Sequence, residues 1–182
     1  MQKTAEICEL NNQTELAIGK YKEASEMFSL EKHQSVSSTR CKLKAAELSS
    51  TMFESQHHMK DAILIYDEVG KDYLRNNLMR FSAKNLFVKV IVIMFLLEDD
   101  VGAEKSLDEY SLLDTSLNNS TEYKFLKKVV TCFREGDKEN FEQECIELNK
   151  RMTLDKWWIN CLSRMKSLIK GSGNVMQEFN PL

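Results

Sequence analysis

A single proline, Pro181, and six glycines are the only strong chain breakers in 182 residues. Strands in globular domains are normally punctuated by Gly, Pro, Asn and Asp turns, so this shortage excludes a many-stranded fold and favours long helices. The five cysteines, Cys8, Cys41, Cys132, Cys145 and Cys161, form no CxxC motif and no Cys/His pairing. An odd, scattered set suggests neither a disulfide framework nor a zinc site and reads as free thiols in a reducing compartment. Excess positive charge is missing as well: the net charge is −3 and the pI about 5.7. Nothing in that balance attracts nucleic acid in bulk. Residues 1–20 contain no apolar core of a secretory signal, and the expectation is a cytoplasmic protein.

Long hydrophobic runs are absent. The most apolar stretch, 87–97, carries Lys89 and follows Arg80 and Lys84. A membrane-spanning helix needs about 20 apolar residues, which excludes a transmembrane segment here. Residues 90–97 have high β-propensity, but neighbours decide such cases. Arg80 and Lys84 stand one helical turn apart, as do Asn85 and Lys89. The stretch 76–97 is therefore expected to be a helix sandwiched in a stack and the most buried of its neighbours.

Signatures of catalysis are missing too. There is no GxxxxGK[ST], GxGxxG, GxSxG or HExxH. The three histidines, His33, His57 and His58, offer no third ligand at metal spacing, and His57-His58 reads as an exposed loop pair between two helices. Asp99-Asp100 and Glu142/Glu144 fall at helix ends or on polar faces, where solvation explains them better than acid–base work. Trp157-Trp158 reads as one core residue and one cap on the last hairpin. No catalytic residue, metal or cofactor is expected.

What is present is helical periodicity. Leu16, Ala17, Tyr21, Ala24 and Phe28 recur at i, i+3/i+4, with Thr14 as a cap, and mark a helix over 14–32. Further helices are expected over 35–55, 59–74, 76–97, 101–113, 120–136, 137–152 and 153–171. Ser120 is the cap and Gly136 the stop of one of them. Residues 172–182 lack periodicity and read as a loose tail.

Alternate helices resemble one another. Ala17-Ile18-x-x-Tyr21 returns as Ala62-Ile63-x-x-Tyr66 and more loosely as Ser106-Leu107-x-x-Tyr110, with the tyrosines 45 and 44 residues apart. A period in the forties with two helices per unit predicts an all-α, tetratricopeptide-like solenoid of helical hairpins. The expected organisation is hairpin repeats over 1–119, a small helical bundle over 120–171 and the tail.

Basic residues follow the same period. Arg40, Lys42 and Lys44 are expected on the first helix of one hairpin, Arg80 and Lys84 on the first helix of the next, and Lys124, Lys127 and Lys128 on the first helix of a third. Equivalent positions of successive repeats line up on one surface. The pattern points to a basic strip for a long acidic partner, or to the solvated face of a generic tetratricopeptide-like scaffold for some other partner.

The segments "AILIYDEVG" (62–70), "LMRFSAKNLFVKV" (78–90), "EYKFLKKVV" (122–130) and "LDKWWINCLSRMKSLIKG" (154–171) resemble the soluble NSF attachment proteins of the α/β type, collinearly over about residues 5–171. The resemblance lies with the C-terminal part of that family; its N-terminal hairpins and their apolar, membrane-holding loop have no counterpart in this sequence. It implies a twisted sheet of antiparallel helical hairpins, right-handed in its twist, ending in a small bundle. The implied role is a non-enzymatic adaptor that coats the acidic four-helix complex of syntaxin-type and other SNAREs and recruits the AAA ATPase NSF. Membrane association would be peripheral, through SNAREs.

Of the family's SNARE contacts, two basic positions match Arg40 and Lys84, and an apolar wedge matches Leu78 and Phe81. Lys44 joins this set from the basic strip. Thr121 stands where the family has an arginine. For NSF, acidic positions match Glu98 and Glu135, while Thr131 and Arg134 occupy two further positions that are acidic in the family. Leu182 stands in place of the family's penultimate leucine, and Glu178 is the only acid left in the tail "GSGNVMQEFNPL".

Overall fold

The computed structural model describes residues 1–31 and 33–170. Leu182 and the expected tail over 172–182 lie outside them. Among the described residues all regular structure is helical: α1 Gln2–Leu10, α2 Thr14–Ser29, α3 Ser35–Ser49, α4 Gln56–Arg75, α5 Arg80–Leu96, α6 Asp100–Leu113, α7 Thr121–Glu135, α8 Lys138–Arg151 and α9 Lys156–Leu168. A short 3-10 turn, Leu117–Asn119, precedes α7. The chain is all-α, as its shortage of breakers requires.

The helix ends follow local chemistry. Ser120 Oγ accepts from the Tyr123 amide at 3.1 Å, and Gly136 closes α7 in the left-handed conformation at φ 68°, the cap and the stop read from the sequence. Asp99, Asp137 and Asp155 cap α6, α8 and α9 by accepting from the amides of Gly102, Asn140 and Trp158, each at 2.9 Å. His57 and His58 are not loop residues. They occupy the first turn of α4, where Ser55 caps the helix and its hydroxyl lies 2.7 Å from His58 Nδ1. The first helix, α1, has no periodic apolar face in the sequence; it is held by two small buried residues, Ala5 and Cys8.

Packing divides the chain into two compact units, Met1–Leu97 and Glu98–Leu182. In the first, each helix packs on its sequence neighbours, most closely α2 on α3 and α4 on α5. These are antiparallel hairpins stacked as in a helical repeat. Ala5, Tyr21, Ala24, Cys41 and Ala45 form a core joining α1, α2 and α3. In α5, ten residues are buried, Phe87, Ile91, Val92, Ile93 and Phe95 fully. It is the most buried helix in the protein. In the second unit α6 shares its packing with α7, and α7 packs on α8. Phe125, Phe141 and Trp158 meet there, with ring centroids 6.4 Å apart in each of the pairs Phe125–Phe141 and Phe125–Trp158. Trp158 is core and Trp157 is half-exposed.

The tyrosine repeat is a packing rule. Tyr21, Tyr66 and Tyr110 are all buried, with Ala17, Ala62 and Leu107 beside them. Each small or apolar residue lets the facing helix close in, and the ring fills the remaining gap. Tyr21 also donates to Glu9 Oε2 at 2.7 Å, tying α2 to α1. Burial and that hydrogen bond push its pKa well above the ordinary phenol range.

Four of the five thiols are buried, and Cys145 is half-buried. Burial, then the neighbouring Cys132, push the Cys145 pKa up to about 12; burial also raises Cys41 and Cys132. Since the thiolate is the reactive form, the native protein at pH 8 should yield no rapidly reacting thiol to an aromatic disulfide reagent. All five should titrate in denaturant. Fast release of even one equivalent from the folded protein would contradict the packing around α7 and α8.

Candidate functional site

The site is built where the start of α3 lies beside the end of α4. A groove of about 470 Å³ is lined there by Val36, Thr39, Arg40 and Leu43 of α3 and by Tyr73, Asn76 and Met79 of α4 and the following turn, among others. Val36, Arg40 and Leu43 are spaced i, i+4, i+7 and thus share one outward stripe of α3. The turn after α4 is shaped by Asn76. Its side-chain oxygen accepts from the Leu78 amide at 3.0 Å and its carbonyl accepts from the Arg80 amide at 2.9 Å. This Asx-type turn leaves Leu78 90% exposed, and the first turn of α5 leaves Phe81 81% exposed. Lys84 follows Phe81 by three residues on α5, so the two share a face.

The structure therefore brings Arg40 and Lys44 to one groove with Met79, and Leu78, Phe81 and Lys84 to within about a turn of Met79 along the chain. The cations are not equivalent. Lys44 lies 3.2 Å from Glu47 and 3.6 Å from Glu9. Partial burial alone would lower its pKa, but those two carboxylates outweigh burial and hold it above the ordinary lysine value. Lys42 pairs with Glu68 at 2.7 Å, Lys128 with Glu144 at 2.7 Å, and Lys127 with Asp108. Arg40, Arg80, Lys84 and Lys124 have no carboxylate partner among the described residues. The strip read from the sequence is thus thinner than its lysine count: some of its members stitch helices together.

The hairpin register also differs from the sequence reading. Arg40 lies on the second helix of the α2–α3 hairpin and Arg80 and Lys84 on the second helix of α4–α5, whereas Lys124, Lys127 and Lys128 open the α7–α8 hairpin. Tyr21 and Tyr66 lie on the first helices of these two hairpins, α2 and α4. Sequence reasoning missed Val36, Leu43, Tyr73 and Met79. The i, i+4, i+7 stripe of α3 was the available signal, hidden because its apolar members are only two.

The acidic candidates belong to the second unit. Glu98 is exposed, adopts φ 60° and lies 3.4 Å from Lys170. Glu135 is exposed at the end of α7, beside Gly136. Arg134 bridges to Glu104 at 2.6 Å and so neutralises a neighbouring carboxylate. Among the described residues no group of three His, Cys, Asp or Glu could hold a metal ion, and no helix is long and apolar enough to cross a membrane.

The family described as soluble NSF attachment protein, SNAP, matches residues 1–170. An α-soluble NSF attachment protein of Dictyostelium discoideum is 32% identical over 91% of this chain and 55% of its own length. A Saccharomyces cerevisiae protein of the same name is 32% identical over 85% of the chain and 51% of its own length, and a β-soluble NSF attachment protein of Bos taurus is 29% identical over 87% and 51%. The chain spans about half the length of the curated relatives it matches. A match over so much of this sequence, by family and by individual relatives, places the chain in the soluble NSF attachment protein family.

Proposed function

We propose that this chain is an adaptor of vesicle trafficking that binds assembled SNARE complexes and recruits an NSF-type ATPase to them. The observation that carries the reading is the surface around the α3–α4 groove. Leu78 and Phe81 stand almost fully exposed on either side of Met79 and Arg80 in the chain, Met79 shares the groove with Arg40, and Arg40, Arg80 and Lys84 have no carboxylate partner among the described residues. Exposed Leu and Phe supply buried area on docking, and unpaired cations supply attraction for an acidic partner. In this reading Arg40, Lys44, Leu78, Phe81 and Lys84 meet the SNARE bundle. Glu98, Glu135 and Leu182 meet the ATPase, with residues 120–171 as the bundle that carries Glu135. The adaptor performs no chemistry, works in the cytoplasm and reaches membranes through its SNAREs.

The test is recruitment. On immobilised SNARE complex, ATPase retained only when this chain is present supports the adaptor role; retention no greater than in its absence overturns it. Leu78→Ala with Phe81→Ala should weaken SNARE binding without altering its salt dependence, since apolar contact rather than charge is removed.

Glu98 allows stability and recruitment to be separated. A non-glycine residue at φ 60° following a helix is strained. Glu98→Gly should therefore raise unfolding free energy by about 0.5–1 kcal/mol, even though the exposed contact to Lys170 is lost. In the proposed role the same variant should recruit less ATPase. A variant that is both destabilised and fully competent would contradict both statements.

A further inference from the structure

A second groove, of about 340 Å³, runs along the seam of the α7–α8 hairpin and uses none of the residues assigned above to SNAREs or to the ATPase. Its floor is apolar. Phe125 and Leu148 are almost fully buried beneath it, and Tyr123 stands at its side. Lys128 fixes the register of the hairpin, its ammonium meeting both oxygens of Glu144 at 2.7 Å. Because the helices run antiparallel, Lys124, one turn before Lys128, lies toward the same end as Arg151, two turns after Glu144. The four cations of this groove are unequally satisfied. Lys128 is taken by Glu144, and Lys127 by Asp108, which lies outside the groove. Lys124 and Arg151 are exposed and make no ion pair among the described residues. The other lining carboxylate, Glu147, lies 2.6 Å from Lys150. That lysine, then Arg151 and Lys128, hold its carboxyl below the usual carboxylate range. The mouth of the groove is thus locally positive in a chain of net charge −3.

We propose that the α7–α8 groove binds an aromatic phosphate monoester, with its phosphate held by Lys124 and Arg151 and its ring laid on Phe125 and Leu148. Cations on an open face are served by water, and an apolar floor alone accepts any hydrophobe. Joined in one concavity near the small end of the ligand-pocket range, they select a compact ligand with an anionic head and an apolar body. A phosphate monoester carries about −1.5 to −2 charge at pH 7 and three acceptor oxygens. That is enough to engage an ammonium and a guanidinium fork together, whereas a carboxylate brings one charge and two oxygens. The same chemistry is offered by a free nucleoside monophosphate and by a phosphorylated tyrosine of a partner. The proposal does not rest on the adaptor reading.

The test is titration of the full chain with phenyl phosphate, adenosine monophosphate and inorganic phosphate, read from the amide resonances of residues 121–128 and 144–151. Phenyl phosphate should bind saturably and about tenfold more tightly than inorganic phosphate, the difference being burial of the ring. Either order of the two esters supports the site. Adenosine monophosphate ahead assigns it to nucleotides, and phenyl phosphate ahead assigns it to phosphotyrosine. Lys124→Gln with Arg151→Gln should weaken phenyl phosphate at least about tenfold. Glu147→Gln removes an opposing charge and should tighten binding about threefold, a gain that no loss of folding imitates. Lys166→Gln is the control: its partner, Glu142, lies off the groove, and binding should not change. No saturable response to phenyl phosphate, or the same response in all four proteins, overturns the proposal. So does equal affinity for phenyl phosphate and inorganic phosphate, which would leave the apolar floor without a part.

Discussion

Arg40→Glu combined with Lys84→Glu should reduce affinity for an assembled SNARE complex about 100-fold at low salt, because each reversal sets a carboxylate against an acidic partner. The double variant should also lose most of the salt dependence of binding. Neither cation has a carboxylate partner among the described residues, so no internal pair is broken and the helical signal and melting point should stay near those of the parent. Lys42→Glu is the informative control. Its ammonium is engaged by Glu68 on α4 at 2.7 Å, and reversing it should disturb the α3–α4 seam more than it disturbs partner binding. Equal loss of affinity in the control and the double variant, measured by titration at two ionic strengths, would mean that overall charge rather than this surface governs binding.

Gly70→Ala should destabilise the protein, against the usual gain of about 1 kcal/mol when alanine replaces a helix-interior glycine. Gly70 lies within α4, and a Cβ added there would stand 2.6 Å from Phe87 Cε1 and 3.1 Å from Cδ1 and Cζ. Phe87 is fully buried in α5, so the ring has little room to retreat. Overpacking of this kind costs about 1–3 kcal/mol, which outweighs the helix gain. Phe87→Ala alone should cost about 3–5 kcal/mol, as large-to-small changes of a buried aromatic do. Phe87→Leu should relieve the clash, so Gly70→Ala/Phe87→Leu should be more stable than the two single changes summed. A stabilised Gly70→Ala in denaturant melts would show that α4 and α5 do not approach as closely as described.

Much of the fold is legible because its signals are local. The spacing of Ala17, Ile18 and Tyr21 and its return at Ala62 and Tyr66 mark the buried side of successive helices, and every tyrosine of the set is buried. Ser120 and Gly136 act through groups three residues away or through their own φ, and both are readable from neighbours. What escapes depends on residues far apart in the chain. Lys127 looks like a free member of a basic strip until Asp108, 19 residues earlier, is brought beside it. Lys42 and Glu68, 26 residues apart, are the same case. The α1 helix escapes for another reason: its inward face is only Ala5 and Cys8, too small to give a periodic signal. His57 and His58 read as loop residues because the cap that starts α4, Ser55, lies ahead of the apolar period that begins at Met59.

The candidate site was half legible. Arg40, Leu78, Phe81 and Lys84 are proposed from resemblance and charge; of these only Arg40 lines the groove, whose other walls, Val36, Leu43 and Tyr73, carry no motif at all. The acidic side is altered at the level of single residues. Arg134 pairs with Glu104 within the chain, while Glu98 and Glu135, the acids proposed for the ATPase, are exposed.

The adaptor account is tested most directly by capturing an assembled SNARE four-helix complex with this chain at low and at moderate salt. The account predicts stoichiometric capture at low salt that weakens steeply over one decade of ionic strength. No capture at low salt, or capture indifferent to salt, would contradict it.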